Sequence, residues 1–240
     1  MEKEGYRFLK DLQFKHWWFN GRRKVVEAFI GSDRNETKGQ VLDIGSGYGA
    51  LVSVLKTIGC VDVIEPYKEA HQTLIDIGVQ NIFDIIDFPY SYPSKKYDYV
   101  TLFDVLEHIE DDTRALEVIK EKLLKLGGKC IITVPAYMWL WTKHDDINHH
   151  FRRYNKAGLK KIMEHSGFKN IRISYFMTFL FPLAVLERIF LKIRPNKNAD
   201  LKLPNPIVNK LFEVIFGLED KFISKIDFPF GLSLIARGEV

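Results

Sequence analysis

Six residues in the first third of the chain have the types and spacing of a cofactor-binding turn. They are Asp43, Gly45, Ser46, Gly47, Gly49 and Glu65, the last lying 20 residues beyond the first glycine. Glycines let the backbone come close to a ligand, and the N–H groups at the start of the following helix point at it. A carboxylate at the end of the next strand can accept hydrogen bonds from both hydroxyls of a ribose. The pattern therefore predicts a site for a nucleotide-like cofactor.

The residues around this turn favour one cofactor over another. Residues 45–50 fit G-x-G-x-x-A, the dinucleotide fingerprint. Asp43 argues against a dinucleotide, because a carboxylate so close to the turn would repel a bound pyrophosphate. S-adenosylmethionine carries no phosphate, and an acid suits both its sulfonium and its ammonium group. Two alternatives stay open: an NAD(P)-dependent oxidoreductase of Rossmann fold, and a non-catalytic donor-binding module.

Asp43, the three glycines and Glu65 resemble the first two motifs of class I S-adenosylmethionine-dependent methyltransferases. The resemblance continues at Asp84 and Ile85, which look like the third motif. In that motif an acid and the following backbone N–H meet the edge of the adenine ring. Asp87 is an equally available acid, so a solvated loop is the alternative for this segment.

A later block, from Phe103-Asp104 through Leu106-Glu107-His108 to Gly127-Gly128, looks like the fourth and fifth motifs of the same family. With the earlier motifs, the resemblance covers residues 39–135. It implies S-adenosylmethionine as the cofactor, with Asp104 and His108 at the donor site or at its boundary with the acceptor. The donor contacts that it implies are Asp43, Gly45, Ser46, Gly47, Gly49, Glu65, Pro66, Asp84, Ile85 and Asp104.

Two further segments are rich in aromatic, histidine and arginine residues, and we predict that they form the acceptor site. One precedes the sheet, and the other begins after the fifth predicted strand, at the edge where open α/β sheets bind ligands. The predicted acceptor-binding residues are His16, Trp17, Trp18, Arg22, Arg152, Arg153 and Tyr154. Hydroxyl acceptors usually need a base, and a histidine suits that role near neutral pH. His144 and His150 are therefore the predicted catalytic residues, with His108 as a third candidate.

The same two segments, His-Trp-Trp-Phe at 16–19 and the histidine- and arginine-rich run at 144–154, resemble a bacterial, type 11-like subgroup of these methyltransferases. Members of that subgroup are often encoded near glycan and lipid biosynthesis enzymes. The resemblance implies a small-molecule, glycan or lipid-linked acceptor, and we expect methylation of an oxygen atom. The alternative for residues 16–19 is a helix that only packs on the domain through its aromatic side chains.

A metal site is the alternative interpretation of the histidine-rich run. His144, Asp145, His149 and His150 offer imidazoles and a carboxylate that could hold a divalent cation. Their spacing matches no standard template, and the arginines at 152 and 153 would repel a cation nearby. The sequence therefore predicts no metal.

From residue 39 onward, strands and helices alternate as a parallel α/β sheet requires. The predicted strands are residues 40–44, 60–65, 81–85, 97–104, 129–134, 170–175 and 233–237. The predicted helices include residues 6–30, 48–58, 68–77, 156–167 and one after Asp112 with Leu126 on its apolar face. The predicted fold is a Rossmann-like, seven-stranded doubly wound sheet, in which the resemblance implies an antiparallel last strand.

We interpret the 240 residues as one methyltransferase domain with four parts. They are an N-terminal helical lid (1–38), the donor-binding core (39–135), an acceptor-side insertion (136–155) and an apolar helical insertion (176–230). The apolar insertion is predicted to cap the domain or to form a dimer contact, so the protein is expected to be a monomer or homodimer. The alternative is a membrane-surface element over residues 176–194, with Arg188, Lys192 and Arg194 facing anionic headgroups.

Composition narrows the class of protein. A chain with 46% hydrophobic residues can bury a full core, and its net charge of +4 does not call for nucleic acid. Cys60 and Cys130 fall in apolar strands, as small core residues of a reducing compartment do. No secretory signal and no run of about 18 uninterrupted apolar residues is visible. We therefore expect a cytoplasmic protein, with membrane association as the open point.

Overall fold

The computed structural model describes residues 10, 12–31, 38–193 and 203–240, without the side chains of residues 189–193. Its helices are α1 (Trp17–Ile30), α2 (Val52–Leu55), α3 (Lys68–Asp76), α4 (Asp112–Val118), α5 (Lys143–Ile147), α6 (Lys156–His165), α7 (Phe181–Ile193), α8 (Pro206–Gly217) and α9 (Asp220–Ile223). Its strands are β1 (Gly39–Ile44), β2 (Gly59–Ile64), β3 (Ile82–Phe83), β4 (Tyr97–Phe103), β5 (Leu124–Pro135), β6 (Lys169–Phe176) and β7 (Ser233–Glu239). The predicted helix start at residue 6 and the headgroup roles of Lys192 and Arg194 lie outside the described part.

The strands form one sheet in the order β3-β2-β1-β4-β5-β7-β6. Strands β1 to β5 pair in parallel, and β7 is antiparallel to both β5 and β6. The prediction of a seven-stranded α/β sheet with an antiparallel last strand is confirmed. The strand order reverses between β1 and β4, and in open α/β sheets ligands bind outside the carboxyl ends of the strands at such a point.

Helix α1 packs against the insertion through α8. The ring of Trp17 lies 5.4 Å from that of Phe212 and 6.1 Å from that of Phe216. The Trp17 N–H donates to the side-chain oxygen of Asn209 at 3.0 Å. A Cβ added to Gly21 would lie 2.1 Å from the Phe216 ring, so only glycine lets the two helices approach this closely. The N-terminal helix and the insertion are therefore one packed unit.

Three predicted elements have different bounds in the structure. Helix α2 is only Val52–Leu55 and not 48–58, because the glycine-rich turn continues to residue 51. Strand β3 has two residues in place of the predicted five. Helix α4 ends at Val118 and is followed by a π-helical turn, after which Leu124 already begins β5. The prediction that Leu126 lies on an apolar helix face is wrong, because it is 96% exposed at the start of the strand.

The apolar residues of α8 are divided between two environments. Phe212 and Ile215 pack on the core, whereas Val208 and Leu211 are exposed, as is Phe222 in α9. The helical spacing of these five residues would place them on one apolar face, and the structure departs from that in part because α1 covers only one side of α8. The exposed apolar side chains of α8 are Ile207, Val208, Leu211 and Val214. None of the helices in the described ranges is long and apolar enough to cross a membrane.

Candidate functional site

The turn after β1 is shaped by three glycines in the left-handed region. Gly45, Gly47 and Gly49 have φ angles of 70°, 58° and 80°, which side chains of L-residues resist. A Cβ at Gly45 would lie 2.6 Å from Val105 Cγ2, and one at Gly49 would lie 2.3 Å from Ile77 Cδ1. The turn is therefore packed closely against the residues that follow β4, and it can present backbone N–H groups to a ligand.

Glu65 joins the end of β2 to this turn. The Gly47 N–H donates to Glu65 Oε2 at 2.6 Å, and the Tyr67 N–H donates to Oε1 at 2.8 Å. The residue is buried, so these two donors hold the plane of the carboxylate beside the turn. A ribose contact by Glu65 stays a prediction.

Asp43 is a buried carboxylate at the end of β1. Its Oδ1 accepts a hydrogen bond from Thr101 Oγ1 at 2.6 Å. Burial raises the pKa of Asp43 to about 6, although the hydrogen bonds from Thr101 and Ser46 and the charge of Arg22 oppose that shift. A carboxylate that is this costly to ionise is stabilised by a nearby cation. The sulfonium and ammonium groups of S-adenosylmethionine supply cations, so the chemistry of this site fits that cofactor.

The segment predicted to meet the adenine ring has few distinguishing contacts. Asp84 is about half exposed and lies 3.3 Å from Lys68 Nζ, whereas Ile85 packs against the core. Asp87 accepts a hydrogen bond from Ser91 at 2.9 Å. Pro66 is exposed next to Glu65. The roles of Asp84, Ile85 and Pro66 toward the donor stay predictions.

Arg22 brings helix α1 to the carboxyl ends of β4 and β5. Its Nη2 lies 2.8 Å from Asp104 Oδ2 and donates to Thr133 Oγ1 at 3.1 Å. Thr133 in turn donates to Asp104 Oδ1 at 3.0 Å. The guanidinium lies 4.9 Å from the centroid of the Trp18 ring and 5.8 Å from that of Phe103. The predicted donor-side acid and two of the predicted acceptor residues are thus in one cluster.

A second buried ion pair organises residues 142–154. Asp145 accepts hydrogen bonds from Arg153 Nε at 2.7 Å and from Arg153 Nη2 at 2.9 Å. The Thr142 N–H donates to Oδ2 at 2.8 Å, and His150 Nδ1 lies 2.9 Å from Oδ1. Burial alone would raise the pKa of Asp145, but the hydrogen bonds from His150 and Arg153 hold it well below its usual value. Arg153 is committed to this pair inside the protein.

His150, His108 and Glu107 meet at the end of this segment, and we call them the Glu107–His108–His150 centre. The Phe151 N–H donates to the Glu107 carbonyl at 2.8 Å, which draws the two segments together. The imidazole centroids are 4.6 Å apart and nearly perpendicular. Burial and the neighbouring His150 lower the pKa of His108 to about 4, so this ring is neutral near pH 7.

Glu107 is the residue of this centre that sequence analysis did not assign. It is completely buried, and no other described residue donates a hydrogen bond to either of its carboxylate oxygens. Burial, and then the charge of Asp104, raise the pKa of Glu107 well above its usual value. The sequence signal for it was an acid four residues beyond the end of β4, inside the block that resembles the fourth motif.

The remaining predicted acceptor-side and catalytic residues make other contacts. His16 caps α1 by accepting the Trp18 N–H at 3.2 Å. Arg152 lies 2.7 Å from Asp112, which also accepts the Tyr154 hydroxyl at 2.8 Å. His144 is half-buried in α5, and burial lowers its pKa. Trp17 packs against α8 and belongs neither to the cluster around Arg22 and Asp104 nor to the Glu107–His108–His150 centre.

Comparisons with known proteins identify the family. Residues 14–173 match the family described as a methyltransferase domain. No curated protein sequence matches the chain significantly. Among solved structures, the chain is similar to an S-adenosylmethionine-dependent methyltransferase from Archaeoglobus fulgidus, with a TM-score of 0.59, 19% identity and coverage of 98% of this chain and 100% of the other.

Two other solved structures have the same fold. A methyltransferase from Clostridium acetobutylicum aligns with a TM-score of 0.58, 13% identity and coverage of 90% and 91% of the two chains. Phosphoethanolamine N-methyltransferase 2 from Haemonchus contortus, solved with S-adenosylmethionine, aligns at 0.55, with 16% identity and coverage of 98% of this chain and 59% of the other. The cofactor prediction is confirmed at the level of the family and fold. The chain belongs to the methyltransferase domain family and has the class I fold of S-adenosylmethionine-dependent methyltransferases.

Proposed function

We propose that this protein transfers a methyl group from S-adenosylmethionine to a hydroxyl oxygen of a small-molecule, glycan or lipid-linked acceptor. The observation that supports an oxygen acceptor is the Glu107–His108–His150 centre. Glu107 and His108 come shortly after the end of β4. Val105, which lies between β4 and these two residues, packs on the donor turn at Gly45. An amine acceptor can react through its own lone pair, whereas a hydroxyl must lose a proton, and this centre has the groups to promote that loss.

On the donor side we propose that Asp43 faces the positive charge of the methionine moiety and that Glu65 accepts the ribose hydroxyls. Asp84 and Ile85 would then meet the adenine edge, with Asp104 between donor and acceptor. The bound donor supplies the electrophilic methyl group. The protein holds the acceptor oxygen in line with the breaking carbon–sulfur bond, and that positioning is the main source of rate.

On the acceptor side, Asp145 fixes the ring of His150. A carboxylate only accepts hydrogen bonds, so a neutral His150 ring carries its hydrogen on Nδ1 and presents the lone pair of Nε2. The centre can receive the hydroxyl proton on that nitrogen or hold a cation that acidifies the hydroxyl. Arg22, Trp18 and Arg152 are the proposed groups that orient the acceptor.

Product analysis tests the proposal. The purified protein is incubated with methyl-labelled S-adenosylmethionine and a panel of hydroxyl and amine acceptors, including glycans and lipid-linked sugars. We expect label on oxygen, identified by the magnetic resonance of the methyl carbon. His150→Ala should lower turnover about 10²–10⁴-fold with unchanged donor affinity. His149→Asn is the matched control, because His149 is exposed and has a φ angle of 57° that Asn tolerates. Label on nitrogen alone, or full turnover by the His150 variant, contradicts the proposal.

The exposed apolar surface of α8 supports a lipid-linked member of this acceptor class. It includes Ile207, Val208, Leu211 and Val214, and apolar side chains on α7, among them Leu183 and Leu186, are exposed too. Such a surface is typical of contact with a membrane or with a second copy of the chain. We propose peripheral membrane contact through this insertion, with a homodimer as the alternative.

A further inference from the structure

We propose that Glu107, His108 and His150 bind a divalent transition-metal ion, of which Zn²⁺ and Mn²⁺ are the candidates. Each residue offers one ligand atom, and the three atoms lie within 4.8 Å of one another. Three atoms bound to one ion at about 2.1 Å each lie about 3.4 Å from one another in tetrahedral geometry. The ligand atoms therefore need to approach one another by up to about 1.4 Å, which rotations of the three side chains can provide.

The second nitrogen of each imidazole is already engaged, as in metal sites. His150 Nδ1 lies 2.9 Å from Asp145 Oδ1, which directs Nε2 toward the centre. His108 hydrogen-bonds through its ring to the backbone of Asn148. Metal-bound histidines almost always donate their other N–H to a carboxylate or a backbone carbonyl, and this partner fixes the tautomer and the direction of the ligand lone pair. Both histidines have such a partner here.

Glu107 gives the independent sign that something is bound. Its side chain is completely buried, and no other residue in the described part of the chain donates a hydrogen bond to either of its oxygens. A buried carboxylate in this state is strongly destabilising unless it is protonated, paired or bound to a metal. The two arginines whose charges act on Glu107 do not supply the pair, because Arg22 bonds Asp104 and Thr133 and Arg153 bonds Asp145.

The charges around the centre now favour a cation. The sequence argument against a metal was repulsion by the arginines at 152 and 153. In the structure, Asp145 neutralises Arg153 and Asp112 neutralises Arg152, at 2.7 Å in each case. With Arg22 bonded to Asp104, none of these arginines is left to pair with Glu107 when it ionises, and a bound cation would stabilise the ionised form. Of the four residues weighed as metal ligands from the sequence, His144, Asp145, His149 and His150, only His150 belongs to the Glu107–His108–His150 centre.

The ligand types select the ion. Imidazoles suit Zn²⁺ and other first-row transition metals, whereas Mg²⁺ and Ca²⁺ prefer oxygen ligands alone. Three protein ligands leave at least one position open, as in catalytic rather than structural sites. The catalytic role rests on the proposed function: an acceptor hydroxyl bound there would ionise more readily and release its proton to solvent. Its oxygen then forms the bond to the methyl carbon, while the carbon–sulfur bond breaks and its electron pair stays on sulfur as S-adenosylhomocysteine.

Metal binding can be tested without any acceptor. The full chain is stripped with a chelator and titrated with Zn²⁺, Mn²⁺ and Co²⁺, with calorimetry, elemental analysis and the visible spectrum of Co²⁺ as readouts. We expect one ion per chain and a raised melting temperature. Glu107→Gln and His108→Ala should weaken binding by more than 100-fold, and Asp145→Asn by about 10- to 100-fold through the orientation of His150. His149→Asn should bind like the parent.

The outcomes separate the metal proposal from the proposed function. An absence of stoichiometric ion, or unchanged affinity in both Glu107→Gln and His108→Ala, overturns the proposal. Glu107→Gln keeps the shape of the side chain and removes a buried group that is costly to ionise, so the metal-free variant should melt no lower than the parent, and its melting temperature should no longer respond to Zn²⁺. Full methyl transfer by chelated protein would refute a catalytic ion and leave the proposed function intact. Stoichiometric ion with no oxygen-methylated product would refute the proposed function alone.

Discussion

Replacing Asp43 by Asn should separate the stability of the fold from donor binding. The side chain is buried, and burial raises its pKa from 3.8 to about 6. A rise of this size costs the ionised form about 3 kcal/mol, at about 1.36 kcal/mol for each pH unit. Asn has the same shape and can still accept the hydroxyl of Thr101. It removes the ionisation, so at neutral pH the donor-free variant should be more stable by an amount approaching that cost.

The pH dependence has a definite sign. Because the pKa is higher in the folded state, the folded protein holds this proton more tightly, and its contribution to stability is complete below about pH 4. The contribution is lost as pH rises from 3.8 through 6. Chemical unfolding of parent and variant between pH 4 and 7.5 should therefore give a difference in unfolding free energy that grows by about 2–3 kcal/mol. The difference isolates Asp43 from other buried acids.

Donor binding should change in the opposite direction. A cationic donor favours the ionised carboxylate, so binding near pH 6 should release part of a proton from the parent and none from Asp43→Asn. Calorimetry in two buffers with different ionisation enthalpies measures that release. At pH 7.5 the variant should bind S-adenosylmethionine about 10- to 100-fold more weakly, from the loss of a charge-assisted contact. Parallel stability curves together with equal donor affinity would refute the assignment of Asp43.

Three other predictions concern separate parts of the molecule. Glu65→Ala should weaken S-adenosylhomocysteine binding by about 1.5–3 kcal/mol, and parental affinity in the folded variant would remove Glu65 from the donor site. Gly21→Ala, measured by thermal unfolding, should destabilise by about 1–3 kcal/mol, because its Cβ overlaps the Phe216 ring; Gly31→Ala, where the Cβ meets nothing within 4 Å, is the control. The protein should sediment with anionic liposomes at low salt and less so at high salt, and Leu211→Asp should weaken this; no sedimentation at low salt would leave the capping or dimer interpretation.

The sheet and the donor turn were predictable because each depends on local patterns. Val41 and Leu42 form an apolar run, the glycines at 45, 47 and 49 follow it, and an acid ends the next strand. Parallel strands that are buried on both faces leave this signature in any sequence. The end of the helix after Asp112 was predicted too late, because β5 already begins at Leu124. Leucines at three- and four-residue spacing suit the end of a helix and the start of a strand equally well over so few residues.

The acceptor side was predictable in composition but not in arrangement. The bond between Arg153 and Asp145 joins side chains eight residues apart, and the chain between them leaves helix α5 and becomes irregular, so no periodicity predicts the contact. In the sequence, Glu107 is one residue of a motif block and has no assigned role. Its burial was not predictable, because neighbouring residues in the sequence do not show whether a lone acid is buried. It is the hydrogen bond from the Phe151 N–H to its carbonyl that places His150 beside it, and only the folded chain supplies that contact.

The contact between α1 and α8 has a consequence for synthesis of the chain. The Trp17 N–H finds its acceptor in Asn209, 192 residues later. At translation rates of about 5–20 residues per second, the side of α1 that carries Trp17 stays uncovered for about 10–40 s. Strands β1 to β5 are synthesised in that interval, whereas β7, which joins β6 to the sheet, follows α8 in the chain. There is therefore an interval in which the parallel strands are complete while the Trp17 surface is still exposed, and chaperone protection would matter most in that interval.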